Sequence, residues 1–269
     1  MSITLRLRTA PGLRLDLRGV LPSVLAALDV SAIEKLPLGL GRETVPLAEF
    51  FDVQRQGDEA RLVLQGDLSR CDRIGWQMAG GSLLVEGAVG DWLAAGMTEG
   101  LVQVQGSARD LAGCEMAGGE LQVDGDVGDF AASAQPGSMD GMRGGVFNVR
   151  GSVGQRFADR MRRGTVFVHG DAGDFFASRL VAGTIAIAGR IGAHPGYGMR
   201  RGSLVFVGPA PALPDTTVAA IVGTPVIWQL LARSLQRRGG AFSGLAQRAV
   251  RRHLGDLAVG GRGEWLLTN

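Results

Sequence analysis

Lysine is nearly missing from this chain of 269 residues: Lys35 stands alone among 28 basic residues, the other 27 being arginine. With 26 acidic residues the net charge is only +2, so no whole-molecule field points to nucleic acid. Cysteine is limited to Cys71 and Cys114, which supply neither a disulfide framework nor a C-x-x-C knuckle and fit a reducing compartment. The histidines are His169, His194 and His253, with no H-x-H or H-E-x-x-H spacing, so no metal site is expected. Long apolar runs are also missing. Residues 218–232 are interrupted by Gly223, Thr224, Pro225 and Gln229 and fall short of the roughly 20 residues that cross a bilayer. Residues 1–8 alternate charge with aliphatic side chains where a signal peptide would have an apolar centre. A cytoplasmic chain with no membrane segment is expected. No G-x-x-x-x-G-K-[ST] and no G-x-S-x-G occurs, which leaves phosphate-loop and hydrolase-elbow chemistry without a carrier.

Glycine is what the chain has in excess, 43 residues beside an apolar fraction of 45%. That apolar content is too high for a disordered tail, so the glycines answer a regular conformational demand. Those that close short aliphatic runs are Gly66, Gly87, Gly106, Gly125, Gly151, Gly170, Gly189 and Gly208, separated by 21, 19, 19, 26, 19, 19 and 19 residues. Four residues before each stands Leu62, Leu83, Val102, Leu121, Phe147, Val166, Ile185 or Leu204, and two before stands Leu64, Val85, Val104, Val123, Val149, Val168, Ile187 or Phe206. This is the period of two of a strand with one buried face.

A turn position follows each strand, with Asp91, Asp110, Asp129 and Asp174 in four repeats; each aspartate is expected to bond the backbone of its own turn. The nonapeptide repeat of calcium-binding rolls is absent. Before the next strand comes Met78, Met97, Met116, Met142, Met161, Leu180 or Met199, and then a boundary glycine. A 19-residue unit cannot bury its own apolar face, whereas stacked units bury it continuously. The fold class expected is all-β: a right-handed single-stranded parallel β-helix of about eight 19-residue rungs, ~34 Å long at the spacing of hydrogen-bonded strands. The left-handed hexapeptide type needs an 18-residue turn. Three segments follow: a capping segment over 1–60, the β-helix over 61–208, and a C-terminal extension over 209–269 with helical patterns at 226–237 and 242–254. In the first segment a helix is expected near 24–28, and Ser31-Ala32-Ile33-Glu34 has capping-box spacing. The one long repeat carries the surplus Gln135-Pro136-Gly137-Ser138-Met139-Asp140-Gly141, expected to protrude as a loop, either tolerated or a contact arm.

Candidate site residues are few. His169 precedes a strand-closing glycine and reads as an outward surface position. His194 lies in the rewritten turn Ala193-His194-Pro195-Gly196-Tyr197-Gly198 with the only tyrosine; it is the histidine placed to meet a ligand or partner. Arg143 follows Met142, Arg162 and Arg163 follow Met161, and Arg200 and Arg201 follow Met199. Stacking puts these like charges along one edge, where they repel by about 1 kcal/mol per pair at 4 Å in water. Local acidic partners or plain solvent would offset that, and so would an acidic partner surface or a polyanionic ligand.

The Met-x-x-Gly boundaries, the stretch Glu34-Lys35-Leu36-Pro37-Leu38-Gly39 and the closing Gly255-Asp256-Leu257-Ala258-Val259-Gly260-Gly261-Arg262-Gly263-Glu264 resemble the C-subunit family of formylmethanofuran dehydrogenase. The resemblance extends to the third subunit of the bacterial formyltransferase/hydrolase complex of methylotrophs, and the repeats alone also resemble the C-terminal domain of glutamate synthase. It implies a non-catalytic scaffold subunit in one-carbon metabolism, with no catalytic residue of its own. It implies partners too: an amidohydrolase-like subunit with zinc, a formyltransferase subunit and a molybdopterin-oxidoreductase-like subunit. The complex would move a formyl group from tetrahydromethanopterin to methanofuran or methylofuran and release formate. The carrier's glutamate tail gives Arg143, Arg162, Arg163, Arg200 and Arg201 a possible role in binding it, since guanidiniums take carboxylates in forked pairs. A glutamate-synthase-like coupling module and a freestanding amide-processing enzyme using His194 are the alternatives.

Overall fold

The computed structural model describes residues 2–56, 61–223 and 225–268. The expected segment boundary after residue 60 falls on residues 57–60, which lie outside the described residues, as do Met1, Thr224 and Asn269.

Strands Arg61–Gln65, Ala79–Glu86, Glu99–Val104, Glu120–Val123, Arg143–Val149, Arg163–Val168, Thr184–Ile187 and Ser203–Phe206 lie side by side in sequence order, all parallel, within a 13-stranded sheet. The register is the one the glycine period demands: Val104, Val123 and Val149 are direct neighbours. The inward positions, from Leu62 and Leu64 to Leu204 and Phe206, are all buried. Beyond the closing glycines, a second ladder of single bridges joins Leu68, Val89, Ala108, Val127, Val153, Ala172 and Ile191. Met78, Met97, Met116, Met142, Met161, Leu180 and Met199 are fully buried between these ladders. Phe147, Phe157 and Phe176 continue the filling, the last two stacked with centroids 5.9 Å apart. Flexible thioethers and flat rings suit a core in which every layer must match the one below.

The boundary glycines are fixed by that stacking. At Gly119 φ is +74°, and an added Cβ would lie 2.7 Å from the Gly100 carbonyl oxygen and 2.8 Å from the Met97 methyl group. Only a hydrogen fits where one repeat's backbone crosses the methionine of the previous one.

The corner that follows each strand departs from the expected simple turn. Trp92 and Ala94, Leu111 and Glu115, Phe130 and Ala132, Arg156, Ala158 and Arg160, and Phe175, Ala177 and Arg179 all have positive φ. Their N–H groups point alternately to the next and the previous repeat: Arg156 donates to Asp174 O, Ala158 to Ala131 O and Arg160 to Ser178 O. Each left-handed residue costs about 1–2 kcal/mol, offset here because the N–H groups of these residues bond between layers. The aspartates take part, and this corrects the expectation that each bonds its own turn. Asp91 N donates to Asp72 Oδ1 at 2.8 Å, Asp129 N to Asp110 Oδ1 at 2.9 Å and Gln155 N to Asp129 Oδ1 at 2.8 Å. The carboxylate reaches the next repeat, and the glycine there, such as Gly128 or Gly154, leaves room for it.

The first segment continues the sheet. Ser2–Leu7 pairs parallel with Arg61–Gln65 and antiparallel with Phe51–Gln56, while Leu15–Asp16, Pro37–Leu40, Glu43–Pro46 and Cys71–Asp72 make a smaller sheet. Helices α1 (Pro22–Ala26) and α2 (Val30–Glu34) contact strands Ala79–Glu86 and Phe51–Gln56 of the larger sheet, respectively. The cap of α2 is Asp29, whose side chain accepts from Ala32 N at 2.8 Å, and the capping role expected of Ser31 is not taken up. At the other end, Gly263–Thr268 adds parallel to Ser203–Phe206, followed antiparallel by Val250–Gly255 and Val218–Gly223. The helix expected over 242–254 is therefore a short 3₁₀ turn and a strand.

Helix α3 (Val226–Leu235) does form, and it lies on the outer face of the sheet. Trp228, Ala232 and Leu235 pack with Phe167, Ala186 and Val205. His169, expected at an open surface, is half-covered by the same segment. Its ring meets Phe242 edge-on at 4.8 Å and is 3.2 Å from Asn148 Oδ1. Burial, with the nearby Arg150 cation, lowers its pKa. Cys71 and Cys114 are buried free thiols; burial pushes Cys71 up to about 12 and Cys114 also upward, so neither is a nucleophile. No helix among the described residues is long and apolar enough to cross a membrane.

Candidate functional site

The residue after each buried methionine begins the next repeat, where its N–H donates to the methionine carbonyl one layer back: Arg143 to Met116, Arg162 to Met142 and, with leucine in the methionine's place, Arg200 to Leu180. Side chains there must point away from the core. Arg143, Arg162, Arg163, Arg200 and Arg201 are accordingly all exposed along one edge, and Arg143 and Arg163 are direct neighbours in the register. The repeat between Arg163 and Arg200 has Val181 and Ala182 instead of arginine, and these two form an apolar floor. Three adjoining depressions share Val181. One is lined by Arg143, Arg162, Arg163, Val181, Ala182 and Arg201, and a second by Val181, Arg200, Arg201, Val259, Gly260 and Arg262. The third, a pocket of about 480 Å³, adds Arg160, Arg179, Tyr197 and Met139.

Charge compensation along this edge is incomplete. Arg162 Nε lies 2.5 Å from Asp140 Oδ1, and Arg143 reaches only the Glu115 carbonyl oxygen, at 3.4 Å. Among the described residues, Arg163, Arg200, Arg201 and Arg262 have no acidic side chain within ion-pairing distance. The acidic partners that could have neutralised the row are thus found for one of the five arginines named from the sequence.

Sequence reasoning missed a second pair, Arg160 and Arg179, which occupy equivalent corner positions 19 residues apart. That spacing was the available signal. Arg179 is held by Asp159, a carboxylate only 5% exposed that accepts from Arg179 Nε at 2.9 Å, Arg179 Nη2 at 2.5 Å and Ser178 Oγ at 2.6 Å. Arg160 Nε stands 3.9 Å from the same carboxylate. The wall opposite comes from residues 256–262, tied down by Asp256, which accepts from Ala258 N at 2.9 Å and Gly198 N at 3.2 Å. Tyr197 and Met139 close the rim, 61% and 67% exposed. His194 is absent from this lining. Its exposed ring stacks on Phe175 at 5.1 Å, in the corner ladder. Among the described residues no three His, Cys, Asp or Glu side chains gather to hold a metal ion. Chemically, the edge can hold carboxylates and lay apolar spacers on valine; it presents no paired acid and base.

No family model matches the chain. It is 41% identical over 90 residues to the C-subunit of the formyltransferase/hydrolase complex Fhc of Methylorubrum extorquens, a stretch that spans 34% of either chain. It is 31% identical over 99 residues to the C-subunit of tungsten-containing formylmethanofuran dehydrogenase 2 of Methanothermobacter marburgensis, covering 35% of this chain and 37% of that one. These alignments thus span about a third of the curated relatives. Over the whole length, the structure matches a chain in the crystal structure of the formyltransferase/hydrolase complex FhcABCD from Methylorubrum extorquens in complex with methylofuran. The TM-score is 0.90 and the identity 39%, with 99% of both chains covered. The chain belongs to the C-subunit family of formylmethanofuran dehydrogenases. That relative is a component of the multi-subunit assembly FhcABCD, and the arginine edge of this chain lies on a sheet that matches it end to end.

Proposed function

We propose that this chain is the non-catalytic scaffold subunit of a formyltransferase/hydrolase-type complex, cytoplasmic and devoted to one-carbon metabolism. In this reading its sheet is the visible wall of a right-handed parallel β-helix of about eight 19-residue rungs over residues 61–208, capped by 1–60 and extended by 209–269. Partner subunits of the amidohydrolase, formyltransferase and molybdopterin-oxidoreductase types carry the chemistry, including the zinc site and the use of tetrahydromethanopterin. Methanofuran or methylofuran is the carrier, and Arg143, Arg162, Arg163, Arg200 and Arg201 hold its glutamate tail or an acidic partner surface. The observation that carries this reading is the row of exposed guanidiniums, four of the five without an acidic partner among the described residues, on a chain matching at full length one that was crystallised in a complex with methylofuran.

A forked guanidinium–carboxylate pair contributes about 1.5–3 kcal/mol when partly desolvated. Replacing Arg162, Arg163, Arg200 and Arg201 by Gln in the assembled complex should raise the KM for the carrier about tenfold or more, with kcat retained and the subunits still associated. Unchanged carrier kinetics with normal assembly would remove the tail-binding role.

A further inference from the structure

Two rows of left-handed residues run along the corner that follows the strands, and they differ in a way the fold does not require. The inner row, Ala94, Gly113, Ala132, Ala158, Ala177 and Gly196, is buried and small, as its space demands. The outer row lies two residues earlier in each repeat: Trp92, Leu111, Phe130, Arg156, Phe175 and His194, with φ between +53° and +66°. A left-handed backbone is most favourable for Gly or Asn and least favourable for bulky side chains. Phe130 is 40% exposed, His194 is exposed and the other four are half-buried. Their N–H groups bond the next layer, Trp92 to Asp110 O and Phe175 to Ala193 O, so successive side chains project from one face at the ~4.8 Å spacing of the layers. Rings and cations link along it: Arg73, one layer before Trp92, lies over that indole at 5.7 Å, Arg156 lies over Phe175 at 4.7 Å, and the Phe175 and His194 rings stack at 5.1 Å. A continuous row of such side chains, without a glycine or an asparagine, suits contact with another molecule and opposes the turn that carries it.

We propose that the outer row is the docking face for an amphipathic α-helix of a partner protein, laid along the stacking direction. Six layers span ~24 Å. A helix offers one contact per turn of ~5.4 Å, close to the layer spacing, whereas same-face residues of a strand come ~6.6 Å apart and fall out of step within two layers. Charge restricts the occupant further. Among the described residues, Asp110, Asp129 and Asp174 flank the row without a basic side chain within ion-pairing distance, and Arg156 lacks an acidic one. The helix therefore carries basic residues on the flank facing the aspartates and a carboxylate at the turn that meets Arg156; a polyanion or a second copy of this chain would bring excess acid instead. The inference rests on the reading of this chain as a platform for partner subunits, and it names the face that one of them uses.

Photo-crosslinking in the purified assembly tests this, with p-benzoylphenylalanine in place of Trp92 in one preparation and of Phe175 in another. Four layer spacings separate the two positions, so on a helix their crosslinks should fall in one segment of one partner chain about 13 residues apart, against about 6 on a strand. Leu111→Asn with Phe130→Asn should leave the melting temperature of the full chain unchanged or higher, because Asn accepts the left-handed backbone. The same double variant should bind that partner at least about tenfold more weakly. Crosslinks spaced as on a strand, crosslinks to a second copy of this chain, or none in an intact assembly overturn the docked helix, and so does unaltered affinity in the double variant. A chain that purifies alone overturns the platform reading as well.

Discussion

A single glycine shows how the stack constrains each residue. Gly119 combines a left-handed backbone with the Gly100 carbonyl and the Met97 methyl at its missing side chain. Alanine there would carry the cost of the backbone, about 1–2 kcal/mol, and also push the methionine ladder aside. Gly119→Ala should destabilise by about 2–4 kcal/mol, whereas Gly137→Ala, at φ +87° but with open space around it, should cost only the backbone's about 1–2 kcal/mol. Thermal or denaturant unfolding distinguishes them, and equal effects would contradict the packing. The aspartates show where residue-level reading stops. Asp beside Gly is a local turn signal, and the sequence by itself does not disclose that Asp110 and Asp129 bond a backbone 19 and 26 residues further on. Nor do Trp92, Leu111, Phe130 and Phe175 announce left-handed conformations, since their intrinsic preference opposes it. Only the interlayer hydrogen bonds override that preference.

Elements differ in how far they could be read. The parallel strands were legible because two signals with one period coincide, alternating aliphatics and closing glycines. The strand Val250–Gly255 was not: Val250-Arg251-Arg252-His253-Leu254 has helical spacing, and it becomes extended because Gly263–Thr268 and Val218–Gly223 are available on both sides. The same long-range packing explains the burial of Phe167 and His169, whose cover arrives more than 50 residues later with α3 and Phe242. His169 gives that docking a pH dependence. Its folded pKa lies below the ordinary imidazole value near 6.5, so the unfolded chain binds the proton more readily and stability rises with pH through this window. The contribution is complete above pH ~6.5 and is lost as pH falls toward the lower folded value. Comparing melting temperatures at pH 5.5 and 7.5, the wild type should lose more at low pH than His169→Gln. An identical loss in both would detach the effect from this residue. The edge arginines were legible by register, whereas Arg160 and Arg179 went unnoticed because their corner lacks the methionine landmark, and Asp140 because an insertion has no register at all.

At the scale of the whole molecule, a stack of repeats presents long, straight rows of equivalent side chains, and the rows here are either buried aliphatics, bonded corners or exposed arginines. Such a body is suited to spacing and holding other components, and its thiol and imidazole groups are sparse: two buried thiols with raised pKa values, the half-covered His169, the half-buried His253 on strand Val250–Gly255, and the exposed His194 outside the pocket. The central claim is that the chain works as a platform for catalytic partners, and purification from its native host under non-denaturing conditions tests it most directly. A tagged copy should elute together with an amidohydrolase-like and a formyltransferase-like chain, the assembly should release formate from the formylated carrier, and the isolated chain should not. A chain that elutes alone and turns over substrate by itself would contradict the account.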